Sequence, residues 1–126
     1  MINEVRKEIK NLIEKTTGMH TFFRRAPNQE PYPYATFTLT EWNTGDLDKH
    51  SYTLTVDAWD CNNPKRVISA IETLDRECRC FKLINDKLLL QIYNGSGKEF
   101  IDEEDKNIVH LKRTYDAIAY KKGDWI

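Results

Sequence analysis

Residues 34–42, YATFTLTEW, and residues 51–59, SYTLTVDAW, decide how the rest of the chain is read. In the first, Ala35, Phe37 and Leu39 fall on one side and Thr36, Thr38, Thr40 and Trp42 on the other, the period-two alternation of a half-buried strand. The second puts Tyr52, Leu54, Val56 and Ala58 on one side and Thr53, Thr55, Asp57 and Trp59 on the other. Both are rich in β-branched and aromatic side chains, which suit a pleated surface. The intervening Asn43-Thr44-Gly45-Asp46-Leu47-Asp48-Lys49 is polar and carries a glycine, so the two strands are expected to form a long-looped antiparallel hairpin. Its apolar face needs a lid.

Two segments can supply one. Ile2, Val5, Ile9, Leu12 and Ile13 recur at helical spacing, predicting an amphipathic helix over residues 3–15, with Asn3 at its start and Gly18 at its end. After Cys61, Asn62-Asn63-Pro64 reads as a helix start, an Asn cap followed by a proline in the first turn, where its missing N–H costs nothing. Val67, Ile68, Ile71, Leu74 and Cys78 then form a stripe out to about Arg79, read as core. Ahead of the hairpin, Thr21 to Arg24 suits an edge strand, the Arg24-Arg25 pair reads as solvated, and Pro31 and Pro33 hold the approach extended.

The second half is expected to add strands. Phe81 to Ile84 and Lys87 to Tyr93 flank an Asn85-Asp86 turn; Asn94-Gly95-Ser96-Gly97 breaks regular structure; Asn107 to Tyr120 is the last strand. In that strand Arg113 falls on the apolar side and Ile118 on the polar one, which predicts a bulge between them. The tail from Lys121 to Ile126 reads as loose. Strands and helices segregate without a repeated strand-helix-strand rhythm. The expectation is one α+β domain over residues 1–126, a mostly antiparallel sheet built on the long β-hairpin, with two helices on one face.

Composition excludes several classes of function. A formal charge of −1, with acids and bases interspersed, gives no basic field of the kind that captures nucleic acid. No run approaches the ~18 apolar residues of a membrane span, and charged residues interrupt the first turns, so neither membrane anchor nor signal peptide is expected. Cys61, Cys78 and Cys80 are odd in number and lack paired spacings, which points to a reducing, intracellular setting.

Site chemistry is sparse. Gly95-Ser96-Gly97-Lys98 shares its ending with a phosphate-binding loop, but Ile92 stands where the first glycine belongs and Glu99 replaces the hydroxyl residue. Cys78 and Cys80 make one close pair with no second, and His20, His50 and His110 are scattered, so no metal or other cofactor is expected. Asp57 with Asp60, or Asp102, Glu103, Glu104 and Asp105, read as solvated carboxylates rather than acid–base pairs. What remains is the hairpin's outer face: Trp42, Thr53, Thr55 and Trp59 form a candidate protein interface, unless the two indoles fold over the sheet's ends within the same domain.

The run Phe22-Phe23-Arg24-Arg25-Ala26-Pro27, then Pro31-Tyr32-Pro33-Tyr34-Ala35-Thr36-Phe37, then Leu54-Thr55-Val56-Asp57-Ala58-Trp59-Asp60, with Asp105, Arg113 and Tyr115 farther on, resembles the tail-completion (tail terminator) proteins of long-tailed bacteriophages and prophages. The resemblance implies a non-enzymatic virion subunit at the tail–head junction. Such a subunit assembles with itself into a ring, commonly a hexamer, that caps the tail tube protein and docks onto the head connector, with DNA only passing through. In such a ring Asp102, Glu103, Glu104 and Asp105 are expected to face the channel. The competing expectations are a head-completion protein of the same virion neck, a small enzyme using the Cys and His residues, and a monomeric binding module.

Overall fold

Among the described residues, alternation and helical periodicity together produce six strands and two helices. The computed structural model describes residues 1–45 and 48–121, and of Asn94 only the backbone. The turn residues Asp46 and Leu47 and the tail from residue 122 onward lie outside the described residues. In chain order the elements are α1 (Ile2–Thr17), β1 (His20–Phe23), β2 (Tyr34–Trp42), β3 (Lys49–Cys61), α2 (Lys65–Cys78), β4 (Phe81–Ile84), β5 (Leu88–Phe100) and β6 (Ile108–Lys121). The chain is α+β.

The strands form one sheet in the order β1-β2-β3-β6-β5-β4. The β2–β3 hairpin is present, with Tyr34 opposite Trp59 and Trp42 opposite Ser51. It is not the longest pairing: β3 runs antiparallel to β6 along its whole length, from Lys49 opposite Tyr120 to Cys61 opposite Ile108. The sheet is also mixed, because β1 lies parallel to β2. The connection over residues 24–33 carries the chain back to the same end before β2 begins, which a tight hairpin turn cannot do.

Both helices serve one face. α1 buries Val5, Ile9, Leu12 and Ile13, and α2 buries Val67, Ala70, Ile71, Leu74 and Cys78, in one core with Phe37, Tyr52, Leu54, Val56, Leu90 and Ile92. α2 packs on β3, β6 and β5, while α1 packs on α2 and β1. α1 begins one residue before the expected Asn3 and ends at Gly18, whose φ of 74° and N–H bond to the Glu14 carbonyl make a left-handed cap. At the start of α2, Asn63 Oδ1 accepts the Lys65 N–H at 2.9 Å, but the cap position falls on Pro64, one residue later than the expected asparagine, and carries no side-chain cap bond.

The expected bulge in β6 is absent, and its cause lies in the neighbouring strand. β6 keeps strict alternation, so Arg113 does point to the helix-covered face; the register shifts fall in β5, between Ile92 and Asn94 and between Gly95 and Gly97. The Asn94-Gly95-Ser96-Gly97 segment therefore bends β5 without ending it. Arg113 Nε donates to Asp75 Oδ1 at 2.7 Å and a terminal nitrogen donates to the Gly97 carbonyl at 3.0 Å. Lys98 pairs with the other Asp75 oxygen at 2.8 Å, and the Tyr115 hydroxyl donates to Asp75 as well. Burial alone would raise the Asp75 carboxyl, but these three donors hold it below the usual aspartate range. Beside them, burial pushes the Cys78 thiol up to about 12, so it stays protonated as a core residue.

Gly95 is the residue that makes room: a Cβ there would land inside the Arg113 guanidinium, whereas one on Gly97 meets nothing within 4 Å. Gly95→Ala should push the guanidinium off Asp75 and destabilise the fold by about 1–3 kcal/mol. Gly97→Ala should stay within about 0.5 kcal/mol of the parent. Urea denaturation of both variants checks the pair, and equal midpoints would contradict the assignment.

Candidate functional site

The second face of the sheet carries neither helix, and alternation decides what it presents. β2 contributes Tyr34, Thr36, Thr38, Thr40 and Trp42, β3 contributes Thr53, Thr55, Asp57 and Trp59, and β6 contributes His110, Lys112, Thr114, Asp116 and Ile118. Two unlike regions form at its ends.

At one end, register sets Tyr34 beside Trp59 and Trp59 beside His110, so a row of rings crosses three strands. The Trp59 and His110 rings stack with centroids 3.7 Å apart and planes 18° apart; Tyr34 stacks on Trp59 at 6.0 Å and Tyr32 on Tyr34 at 5.5 Å. His110 is only 9% exposed. Its Nε2 lies 2.6 Å from Asp57 Oδ1 and its Nδ1 lies 2.8 Å from Glu103 Oε1, so the imidazole bridges a strand carboxylate and a loop carboxylate. Burial opposes charging the ring, but the hydrogen bonds to Asp57 and Glu103 and their negative charge outweigh it, and the His110 pKa is raised. An imidazolium donates to both acids. A neutral ring has one N–H and must leave one of them without a donor.

At the other end, Trp42 is 56% exposed and its Nε1 donates to Thr53 Oγ1 at 2.8 Å. Rows of the sheet there bring apolar side chains together from strands far apart in sequence. Ile84 faces Leu89 and Leu89 faces Tyr120, while Ile118 is opposite Ser51, whose other partner is Trp42. Ile84 is 63% exposed, and Leu89, Ile118 and Tyr120 are half-buried.

The four residues expected at an interface therefore divide. Trp42 and Thr53 touch and lie at the apolar end; Thr55 sits half-buried at mid-face between Thr38 and Thr114; Trp59 is half-buried in the ring stack at the opposite end. The acidic run is not uniform either. Asp102 and Glu104 are exposed, Asp105 accepts the Asn107 N–H, and Glu103 turns back to His110, which corrects the reading of four equivalent solvated acids. Asp57 and Asp60 point to opposite faces: Asp60, 1% exposed, forms a two-bond clamp with Arg66 at 2.7 and 2.8 Å that ties β3 to α2.

The His110 bridge escaped sequence reading because its members are 53 and 7 residues apart. The only signal was parity, His110 on the polar side of its strand, and it becomes a contact only once β3 is paired with β6. His20 and His50 likewise face Glu30 and Glu41. Among the described residues no group of three or more His, Cys, Asp or Glu is placed to hold a metal ion, and Cys61, Cys78 and Cys80 are free thiols. No protein-family profile matches the chain, and comparison with curated proteins finds no match either.

A raised folded-state pKa means that the His110 contribution to stability is complete below about 6.5, the value of a free histidine, and is lost as pH rises through the folded value. An NMR titration of the His110 ring should give a midpoint above that of free histidine. Glu103→Gln should lower the midpoint, and an unmoved midpoint would show that Glu103 is not a partner in solution.

Proposed function

We propose that this chain is a virion structural subunit of the tail-completion type, which closes into a ring on the end of a phage tail tube and joins it to the head connector. The observation that carries the reading is the apolar end of the helix-free sheet face, where Trp42 and Ile118 flank Ser51 in one row and Ile84, Leu89 and Tyr120 adjoin in the next. An apolar surface of this kind, bordered by threonines and a lysine, suits contact with another protein rather than turnover of a small molecule.

The sheet edges fit the same reading. A ring needs two different patches per subunit that meet head to tail. Here the sheet ends in two unlike strands, β1 and β4, so each subunit offers two distinct sides as well as a free face. The acids that remain turned to solvent, Asp102 and Glu104 with Asp105, are placed at the channel in this proposal, where negative charge keeps passing DNA from adhering.

Trp42 is the probe of choice, since its exposure and its place at a strand end leave the core untouched. Trp42→Ala combined with Ile84→Lys should shift the protein to monomers in sedimentation velocity, or abolish its assembly onto preformed tail tubes, with melting temperature nearly unchanged. Assembly equal to that of the parent would remove this face from the interface.

A further inference from the structure

The connection that brings β1 and β2 parallel also builds a cleft. Residues 24–30 arch over the start of β2 and enclose a volume of about 450 Å³ lined by Arg24, Arg25, Tyr32, Tyr34, Thr36 and Trp59, among others. It lies at the ring-stack end of the sheet, away from the apolar patch at Trp42. Nothing in the ring-assembly reading uses it.

Its charges are unspent. Neither Arg24 nor Arg25 forms an ion pair among the described residues, while Glu30, the acid in the same lining, is committed to His20 at 3.1 Å. The backbone carrying the two arginines is nonetheless held firmly. The Arg24 N–H donates to the Phe37 carbonyl at 2.8 Å and the Arg25 N–H to the Phe23 carbonyl at 3.0 Å. Arg24 and Gln29 adopt φ values of 74° and 64°, a left-handed conformation that non-glycine residues take at a cost and that concentrates at ligand clamps. One wall is the stacked series Tyr32, Tyr34 and Trp59, and Trp59 Nε1 is a buried donor with no acceptor among the described residues. Fixed backbone, free guanidinium groups and a flat aromatic wall are the features of a site preorganised for an anionic group attached to something planar or apolar.

Two kinds of macromolecule carry such groups, and the surroundings favour one. A nucleic acid strand is a continuous polyanion. Here it would run past Glu30 and close to Glu103, which is tied to the imidazole stacked on Trp59. A peptide places its carboxylates singly and can leave those acids unopposed.

We propose that the cleft between Arg24-Arg25 and the Tyr32–Tyr34–Trp59 wall is a docking site for an acidic peptide segment of a partner protein, with side-chain carboxylates on the guanidinium groups and an apolar or aromatic neighbour on the rings. The site is complete within one subunit, so it does not require ring assembly.

A fluorescein-labelled peptide of alternating Glu and Tyr is the probe, read by anisotropy with the intact protein. Binding should be seen for this peptide, should weaken with salt, and should be lost in a Gln-for-Glu version. Arg25→Gln, and Arg24→Asn, which suits the left-handed backbone at that position, should each lower affinity by about tenfold or more. Both side chains are exposed, and unchanged far-ultraviolet circular dichroism confirms folding. Trp59→Phe, which keeps an aromatic ring and removes the N–H, should weaken binding less than either arginine variant. No binding, equal binding by the Gln peptide, or equal binding by the arginine variants overturns the proposal. Displacement of the peptide by oligo-dT at lower concentration than by unlabelled peptide also overturns it and gives the cleft to nucleic acid.

Discussion

The antiparallel pairing of β3 with β6, thirteen residues on the β3 side, is the contact on which the rest of the structure depends. Side chains of a strand alternate between faces, so this register determines at once what lies under the helices and what lies on the free side. It sets Val56 beside Arg113 and Leu54 beside Tyr115 on the covered face, and Trp59 beside His110 on the other. A slip of one residue would turn Tyr52, Leu54, Val56 and Ala58 outward and put Asp57 and Trp59 against the helices, which is why a strand buried on one side has little freedom to slide.

The covered face holds charges only in pairs, Asp60 with Arg66 and Arg113 with Asp75, and the second pair shapes β5. Arg113 is half-buried, and a guanidinium drawn out of water is costly unless it is paired and hydrogen-bonded. Arg113 meets both conditions through Asp75 of α2 and the Gly97 carbonyl of β5, and the guanidinium passes β5 at Gly95, where a side chain would stand in its place. The glycines that resemble part of a nucleotide loop thus serve a neighbouring arginine. The same network links the last turn of α2 to β6 and β5, so helix placement and strand curvature are coupled through one carboxylate.

The free face is divided by chemistry as well as by distance. Its Trp42 end is apolar and drawn from four strands; its Trp59 end is a stack of rings joined to a histidine held between two acids. The second sits next to a cleft lined by two arginines that form no ion pair among the described residues. One sheet carries both regions, at opposite ends of the face that neither helix covers.

Local patterns determined much of this. The two amphipathic stripes, the hairpin alternation and the Asn-Pro helix start are written in contiguous residues, so α1, α2, β2 and β3 could be placed without knowing their neighbours. Trp42 with Thr53 was legible for the same reason, both belonging to one hairpin. Strand order, the parallel β1 and the bulged β5 depend on which edges meet, and no short stretch encodes that. The His110 bridge, the Arg113 network and the Arg24 cleft each join residues from separate elements, and their side chains look like ordinary polar surface until tertiary pairing brings the partners within hydrogen-bonding reach. The physical reason is that periodicity tells which way a side chain points, whereas only the packed sheet tells what it points at.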